Sequence, residues 1–366
     1  MRTTQTNNRQ TGRPGAVLLS LLAAALLAAC GADGFVTKGP DGAVTLAVGA
    51  TADLTEPVTD FRLEDYYEPV GEILPSDDPR TFMRGMNFAY YDANTVLAYS
   101  GDRVIRLSLA DGSFQGEYGH KGRGPGEYTM VLSAFVRDGR VYVNDIMSTY
   151  HVYEGVDGHH LQDVPLFDKA QQFCALYPLE GDYSMILYAS TAGKKQVFDI
   201  IDGSGNLVRE SSLQDDNEEI AQRGGIRIGY SIPLGEGWGV PSDRDRTLYR
   251  ILPERDIPWV RFDYGRYSPT DSPLMVLERF SVSGPFFLAS LYGESSSFRA
   301  VYDLQRCRLL FVTENLSDDT RVERAGIPYE LDGQTLFLWP EFAARDLLIC
   351  RNVHTADNYY CFRLKK

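Results

Sequence analysis

The densest group of side chains able to do chemistry lies at Gly119-His120-Lys121-Gly122-Arg123-Gly124-Pro125-Gly126-Glu127-Tyr128. A glycine-rich run binds phosphate when it opens a helix, whose first amides face the anion. Here Pro125 and the strand-like residues after it leave no helix, so a dinucleotide cradle is excluded. The run reads instead as a crossing between sheet elements, with its glycines, Gly124 among them, supplying left-handed backbone and Pro125 stiffening the path. Two roles follow for its polar residues. Either Arg123 pairs with Glu127 to hold the loop, or His120, Arg123, Glu127 and Tyr128 line the mouth of a binding channel.

The other reactive groups are sparse. His159 and His160 are neighbours, so in an extended segment they face opposite sides and cannot chelate one ion together. Following Asp157-Gly158, they read as exposed turn residues. The chain has five His, and none shows an H-E-x-x-H spacing. The run Asp215-Asp216-Asn217-Glu218-Glu219 offers oxygen ligands but lacks the alternate spacing and the glycine of a calcium loop, so it reads as solvated charge. No G-x-S-x-G elbow is present. No metal ligand set and no cofactor is expected. A carboxylate pair for glycoside cleavage would have to be assembled from distant segments.

The elements that must carry these residues repeat along the chain. An apolar residue, an aromatic or apolar one and a polar one recur at Val104-Ile105-Arg106, Val152-Tyr153-Glu154, Val197-Phe198-Asp199, Leu248-Tyr249-Arg250 and Val301-Tyr302-Asp303. The intervals are 48, 45, 51 and 53 residues. Asp-Gly turns follow the first three copies, and a strand-like run resumes after each turn. A further strand pair precedes the triplet, as in Ser133 to Val136, the turn at Asp138-Gly139, and Val141 to Asp145. Four short antiparallel strands in each unit of about 45–50 residues is the signature of a β-propeller blade. With Tyr360-Cys361-Phe362 as the sixth copy, the expectation is an all-β, six-bladed propeller of four-stranded antiparallel blades. The last blade reads as lacking its outer strand, which Phe61 to Ile73 would supply, so that pairing of N- and C-terminal strands closes the ring and removes exposed edges. The Tyr66-Tyr67, Tyr90-Tyr91 and Tyr359-Tyr360 pairs read as packing aromatics.

Composition bounds the partners. With 43% hydrophobic and 23% charged residues, the chain is globular, and a net charge of -14 excludes nucleic acid as a ligand. At the N-terminus, Arg2, Arg9 and Arg13 precede an apolar run of 14 residues from Ala16 to Ala29. That length fits a signal peptide and is short of the roughly 20 residues that span a bilayer. The run ends in Leu27-Ala28-Ala29-Cys30-Gly31, which resembles the bacterial lipobox, and this likeness makes Cys30 the lipidated residue after removal of 1–29. Residues 30–57 then read as a lipidated cysteine and flexible tether, although Val44 to Val48 has the character of a short strand. Residues 58–366 make the propeller. Among the remaining cysteines, Cys350 and Cys361 flank a hairpin. If Val353 faces Asn358, the two face each other, and both a cross-strand disulfide and a pair of small buried hydrophobes fit.

Lipobox, short tether, the Gly-x-Gly-Pro-Gly-Glu-Tyr pattern of residues 122–128 and the late Trp339-Pro340 together resemble the six-bladed β-propeller lipoproteins of Gram-negative bacteria, relatives of NHL-repeat propellers. The resemblance implies an outer-membrane lipoprotein, periplasmic or surface-facing, held to the membrane by its lipid. The expected function is non-catalytic binding or scaffolding of a glycan, a peptide or an envelope-protein partner. The alternative is a propeller lyase or hydrolase with catalytic residues at the channel mouth.

Overall fold

A computed structural model describes residues 34–74, 77–81, 85–147, 149–165, 174–188, 197–213, 232–234, 238–242, 246–267, 275–293, 297–313, 325–355 and 358–366. Six antiparallel sheets, each with four consecutive strands, form the blades of a six-bladed β-propeller. Blade 1 comprises Asn87–Tyr90, Thr95–Ser100, Arg103–Ser108 and Phe114–Glu117. Blade 2 comprises Val131–Arg137, Arg140–Asp145, Thr149–Glu154 and His160–Pro165. Blade 3 runs from Cys174–Pro178 to Leu207–Glu210, blade 4 from Ile232–Pro233 to Asp256–Phe262, and blade 5 from Met275–Ser283 to Arg308–Val312. Blade 6 comprises Ile327–Leu331, Gln334–Ala344, Leu347–Asn352 and Tyr359–Leu364.

The hydrophobic core is divided as the ring requires. Six clusters of buried side chains lie at the six interfaces between successive blades, and the sixth, with Phe88, Val96, Ile105, Leu347, Ile349 and Cys361, joins blade 6 back to blade 1. Inner layers are covered on both faces by neighbours, so the third strands Phe198–Ile201 and Phe298–Asp303 are buried at every residue. Outer strands meet water, and Leu207–Glu210 and His160–Pro165 are mostly exposed. Arginines tie blades together from the rim. Arg106 of blade 1 donates to the carbonyls of Gly155 and Val156 in a blade 2 turn, at 2.9 and 3.2 Å. Arg209 of blade 3 donates to Leu252 and Pro253 of blade 4 and pairs with Asp256 at 2.6 Å.

The N-terminal segment departs from the tether reading. Val36–Lys38 and Val44–Leu46 extend the outer edge of blade 4, where Val44 to Leu46 run parallel to Val260–Phe262. The short helix α1 (Val48–Ala52) packs beside them, and Val36, Leu46, Val48 and Ala52 are buried. Val58–Thr59 then caps blade 5, and after helix α2 (Leu63–Tyr66) the strand Tyr67–Ile73 pairs with Tyr359–Leu364. Apolar residues at 36, 44, 46 and 48 explain the outcome, because edge strands attract any alternating apolar segment able to satisfy their free N–H and C=O groups. The propeller therefore begins some twenty residues earlier than expected, with the same closing pair. Blade 6 already has four strands of its own, so Tyr67–Ile73 is its fifth. The triplet copy of the sixth blade is accordingly Ile349-Cys350-Arg351 on the third strand, and Tyr360-Cys361-Phe362 sits on the fourth.

The Cys350–Cys361 bridge is corrected as well. Asn352 N–H donates to the Asn358 carbonyl, which sets Cys350 opposite Tyr360 and Cys361 opposite Ile349. One residue of register flips a side chain to the other face of the sheet. Cys350 faces blade 5 and Cys361 faces blade 1, and both are free, buried thiols. The tyrosine pairs pack as expected, with Tyr67, Tyr359 and Tyr360 buried. The leader with Cys30 and the acidic run 215–219 lie outside the described residues.

Candidate functional site

The glycine loop leaves the outer strand of blade 1 and enters the first strand of blade 2, filling the wedge where the two blades diverge. Tyr118, Tyr128 and Tyr153 are buried in that wedge, and the first and last of them anchor the loop. Tyr118 Oη donates to the Gly155 carbonyl at 2.6 Å, and Tyr153 Oη to the Gly126 carbonyl at 2.8 Å. Within the loop, His120–Lys121 and Glu127–Tyr128 form a short parallel pair. Gly126 lies against His160 on the outermost strand of blade 2, so the loop sits between outer strands and not around the axis.

Of the residues picked out for ligand contact, the fold brings His120 and Glu127 together, at 2.9 Å between Nε2 and Oε1. The other Glu127 oxygen accepts from the backbone N–H groups of Gly124 and Arg123, at 2.7 and 2.8 Å. These N–H bonds, that of Gly124 first, hold the Glu127 carboxyl below its usual pKa. The partner of Glu127 is thus His120 and the loop backbone, whereas the Arg123 side chain is exposed and makes no ion pair among the described residues. Tyr128 is fully buried and packs; burial pushes its phenol pKa up. Left-handed backbone falls at Gly119 (φ +65°) and Gly126 (φ +68°), not at Gly124.

Beneath the loop lies a constellation that sequence reasoning missed. Asp163 Oδ1 is 2.7 Å from both His151 Nδ1 and His160 Nε2. The Gly126 N–H also reaches the Asp163 carboxylate, at 3.2 and 3.3 Å. On the far side of the imidazole, His151 Nε2 is 3.9 Å from Asp145 Oδ2, near enough to favour charge but too long for a hydrogen bond. Asp145 is itself anchored by the Met130 N–H at 2.9 Å. Burial pushes the His151 pKa down, but the carboxylates of Asp145 and Asp163 outweigh it and the net shift is upward. For Asp163, burial raises the pKa, and the bonds from His151, His160 and Gly126 overcome it to leave the group more acidic than usual.

His160 is therefore no mere turn residue, although its neighbour His159 is exposed and its imidazole turns to Asp157 instead. The hidden signal was a register one. Continuing the pairing around Asp157-Gly158 would set His151 opposite Gln162. A bulge between Val152 and Tyr153 shifts it opposite Asp163 instead. The same irregularity recurs between third and fourth strands in blades 1, 3, 4 and 5, so it belongs to the architecture of the blade.

No family model and no curated protein matches the chain. Solved structures do. A protein of Bacteroides fragilis described as a putative exported protein superposes with a TM-score of 0.57 at 14% identity, covering 84% of this chain and 98% of that one. The WD40 β-propeller domain of Doa1 covers 82% and 98% at 12% identity, with a TM-score of 0.43. The N-terminal domain of Nup159 covers 86% and 98% at 11% identity, with a TM-score of 0.41. At these identities the likeness to the first is one of propeller fold alone, and the other two are too distant to add to it.

Proposed function

We propose that this chain is a lipid-anchored envelope propeller that binds or scaffolds, without catalysis, a glycan or peptide through the crossing between blades 1 and 2. The observation that carries this reading is the division of labour in the loop. Glu127 is fully engaged as an acceptor for the loop's own donors, while the exposed Arg123 guanidinium is left to meet a ligand. A planar guanidinium on a loop clamped at both ends recognises carboxylate or polar sugar groups with little ordering cost. The lipobox-like Leu27-Ala28-Ala29-Cys30 supports the anchor, and no helix among the described residues is long and apolar enough to cross a membrane. Because Val36 already belongs to blade 4, the chain from Cys30 to that strand can reach at most about 20 Å. The outer edge of blade 4 is thereby kept close to the bilayer, in the outer membrane on this reading.

Thermal melts against a panel of acidic and neutral glycans and peptides test the binding role. A ligand that raises the melting temperature of the parent and not of Arg123→Ala supports it. No stabilisation by any member, or equal stabilisation of the variant, refutes it, and product formation from a panel member would make the protein an enzyme. Mass spectrometry of the mature protein tests the anchor, with an acylated Cys30 expected at its N-terminus.

A further inference from the structure

We propose that His151, His160 and Asp163 form a binding site for one divalent cation of the zinc type, a role independent of the ligand reading for the loop. Their donor atoms, two imidazole nitrogens and one carboxylate oxygen, all lie within 4.8 Å of one another. Imidazole and carboxylate together suit zinc and its borderline neighbours. An ion bonded at about 2.0–2.2 Å to each donor in a tetrahedral set requires the present 2.7 Å contacts to open by about 0.6–0.8 Å, a modest side-chain adjustment.

The three groups are held by their surroundings. The His160 ring packs edge-on to Tyr153 at 5.8 Å and lies against the Gly126 backbone. A β-carbon at Gly126 would come within 2.5 Å of that ring, so only glycine lets the loop close over the site. The Gly126 N–H orients the Asp163 carboxylate. When Nδ1 of His151 ligates, its other nitrogen carries the proton and faces Asp145, the carboxylate behind a ligating histidine that fixes its tautomer. His151 Nε2 is buried and has no hydrogen-bond partner among the described residues, which is the arrangement an outer-sphere carboxylate relieves by closing in. His151 is 6% exposed, whereas His160 and Asp163 are 27% and 33% exposed, so solvent reaches the ligand set and water can take a fourth position.

The test uses the full-length chain, purified in detergent and stripped with a chelator, titrated calorimetrically with Zn2+ alone and spectroscopically with Co2+ alone. One equivalent of Zn2+ should bind, and Co2+ should give the intense visible absorption of a tetrahedral site. His160→Ala and Asp163→Asn should each abolish stoichiometric binding, and Asp145→Asn should weaken it about 10–100-fold. His159→Ala, next in sequence but outside the cluster, should bind like the parent. Melts of the chelated variants check folding, and if His160→Ala unfolds, Asp163→Asn decides. Failure of Zn2+ to bind, unchanged binding in folded Asp163→Asn, or equal loss in His159→Ala would overturn the proposal.

Discussion

Gly126→Ala should add a strongly destabilising methyl group to the crossing loop, at one of its two left-handed glycines. Two costs combine there. The backbone is left-handed at φ +68°, which strains an alanine by about 1–2 kcal/mol. The new carbon would also lie 2.5 Å from His160 Cγ and 2.7 Å from Cδ2, and pushing a packed ring aside costs about 1–3 kcal/mol. Alanine stiffens the unfolded chain and returns about 0.4–1 kcal/mol, leaving a net loss of roughly 2–4 kcal/mol. With an unfolding entropy of about 2.1 cal/mol/K per residue over a folded body of ~330 residues, that lowers Tm by about 3–6 °C. Two controls separate the terms. Gly139 has φ +73° with nothing within 4 Å of a β-carbon, so Gly139→Ala reports the backbone term alone, about 1–3 °C. Gly124 lacks left-handed backbone and would place its carbon 3.1 Å from Glu127 Oε2, so Gly124→Ala should cost under about 1 kcal/mol. The assay is calorimetric melting in chelator, which removes any contribution from bound metal. A loss in Gly124→Ala equal to that in Gly126→Ala would show the loop to be held differently. So would a Gly126→Ala variant no worse than Gly139→Ala.

Cys350 and Cys361 should both stay unreactive toward a thiol reagent in the native protein and both titrate after unfolding without reductant; burial pushes the Cys361 thiol up to about 12 and raises Cys350 as well, and a peptide map showing them disulfide-linked would contradict the register. Arg209→Met should cost about 2–4 kcal/mol by leaving Asp256, whose side chain is 4% exposed, without its charge partner and bonded to Ser212, and Arg209→Met/Asp256→Leu should recover most of it; a single-variant loss below about 1 kcal/mol would refute the latch between blades 3 and 4. The Glu127 carboxyl titrates below its ordinary 4.5 when folded, so its contribution is intact above that pH and fades as pH falls through the lower folded value. Melts from pH 6 to pH 3 should therefore show a shallower acid loss in Glu127→Gln than in the parent, and parallel curves would count against the bonding described for the loop.

Much of the architecture is written in the sequence because blades are local. Triplets such as Val152-Tyr153-Glu154, spaced at 45–53 residues, mark one strand in each of five blades, and the strands paired with it lie within a few turns of the chain. Hairpins of that kind are set by alternation and turn chemistry, both visible in one dimension. The pairing of Tyr67–Ile73 with the last strand followed from the same apolar pattern, whereas Tyr128, read as a channel-mouth residue, is buried in the packing between blades 1 and 2. What the sequence left undetermined depends on single residues of register and on contacts across long separations. Whether Cys350 faces Cys361 turned on a loop one residue longer than the assumed one, and whether His151 meets Asp163 turned on one bulge. The seat of residues 36–54 on blade 4, some 210 residues away, required an edge that exists only once the blade has formed. Side-chain period in a strand is two, so a shift of one residue exchanges the faces. Only the folded sheets decide which nitrogen, sulfur or carboxylate a given strand turns toward its neighbour.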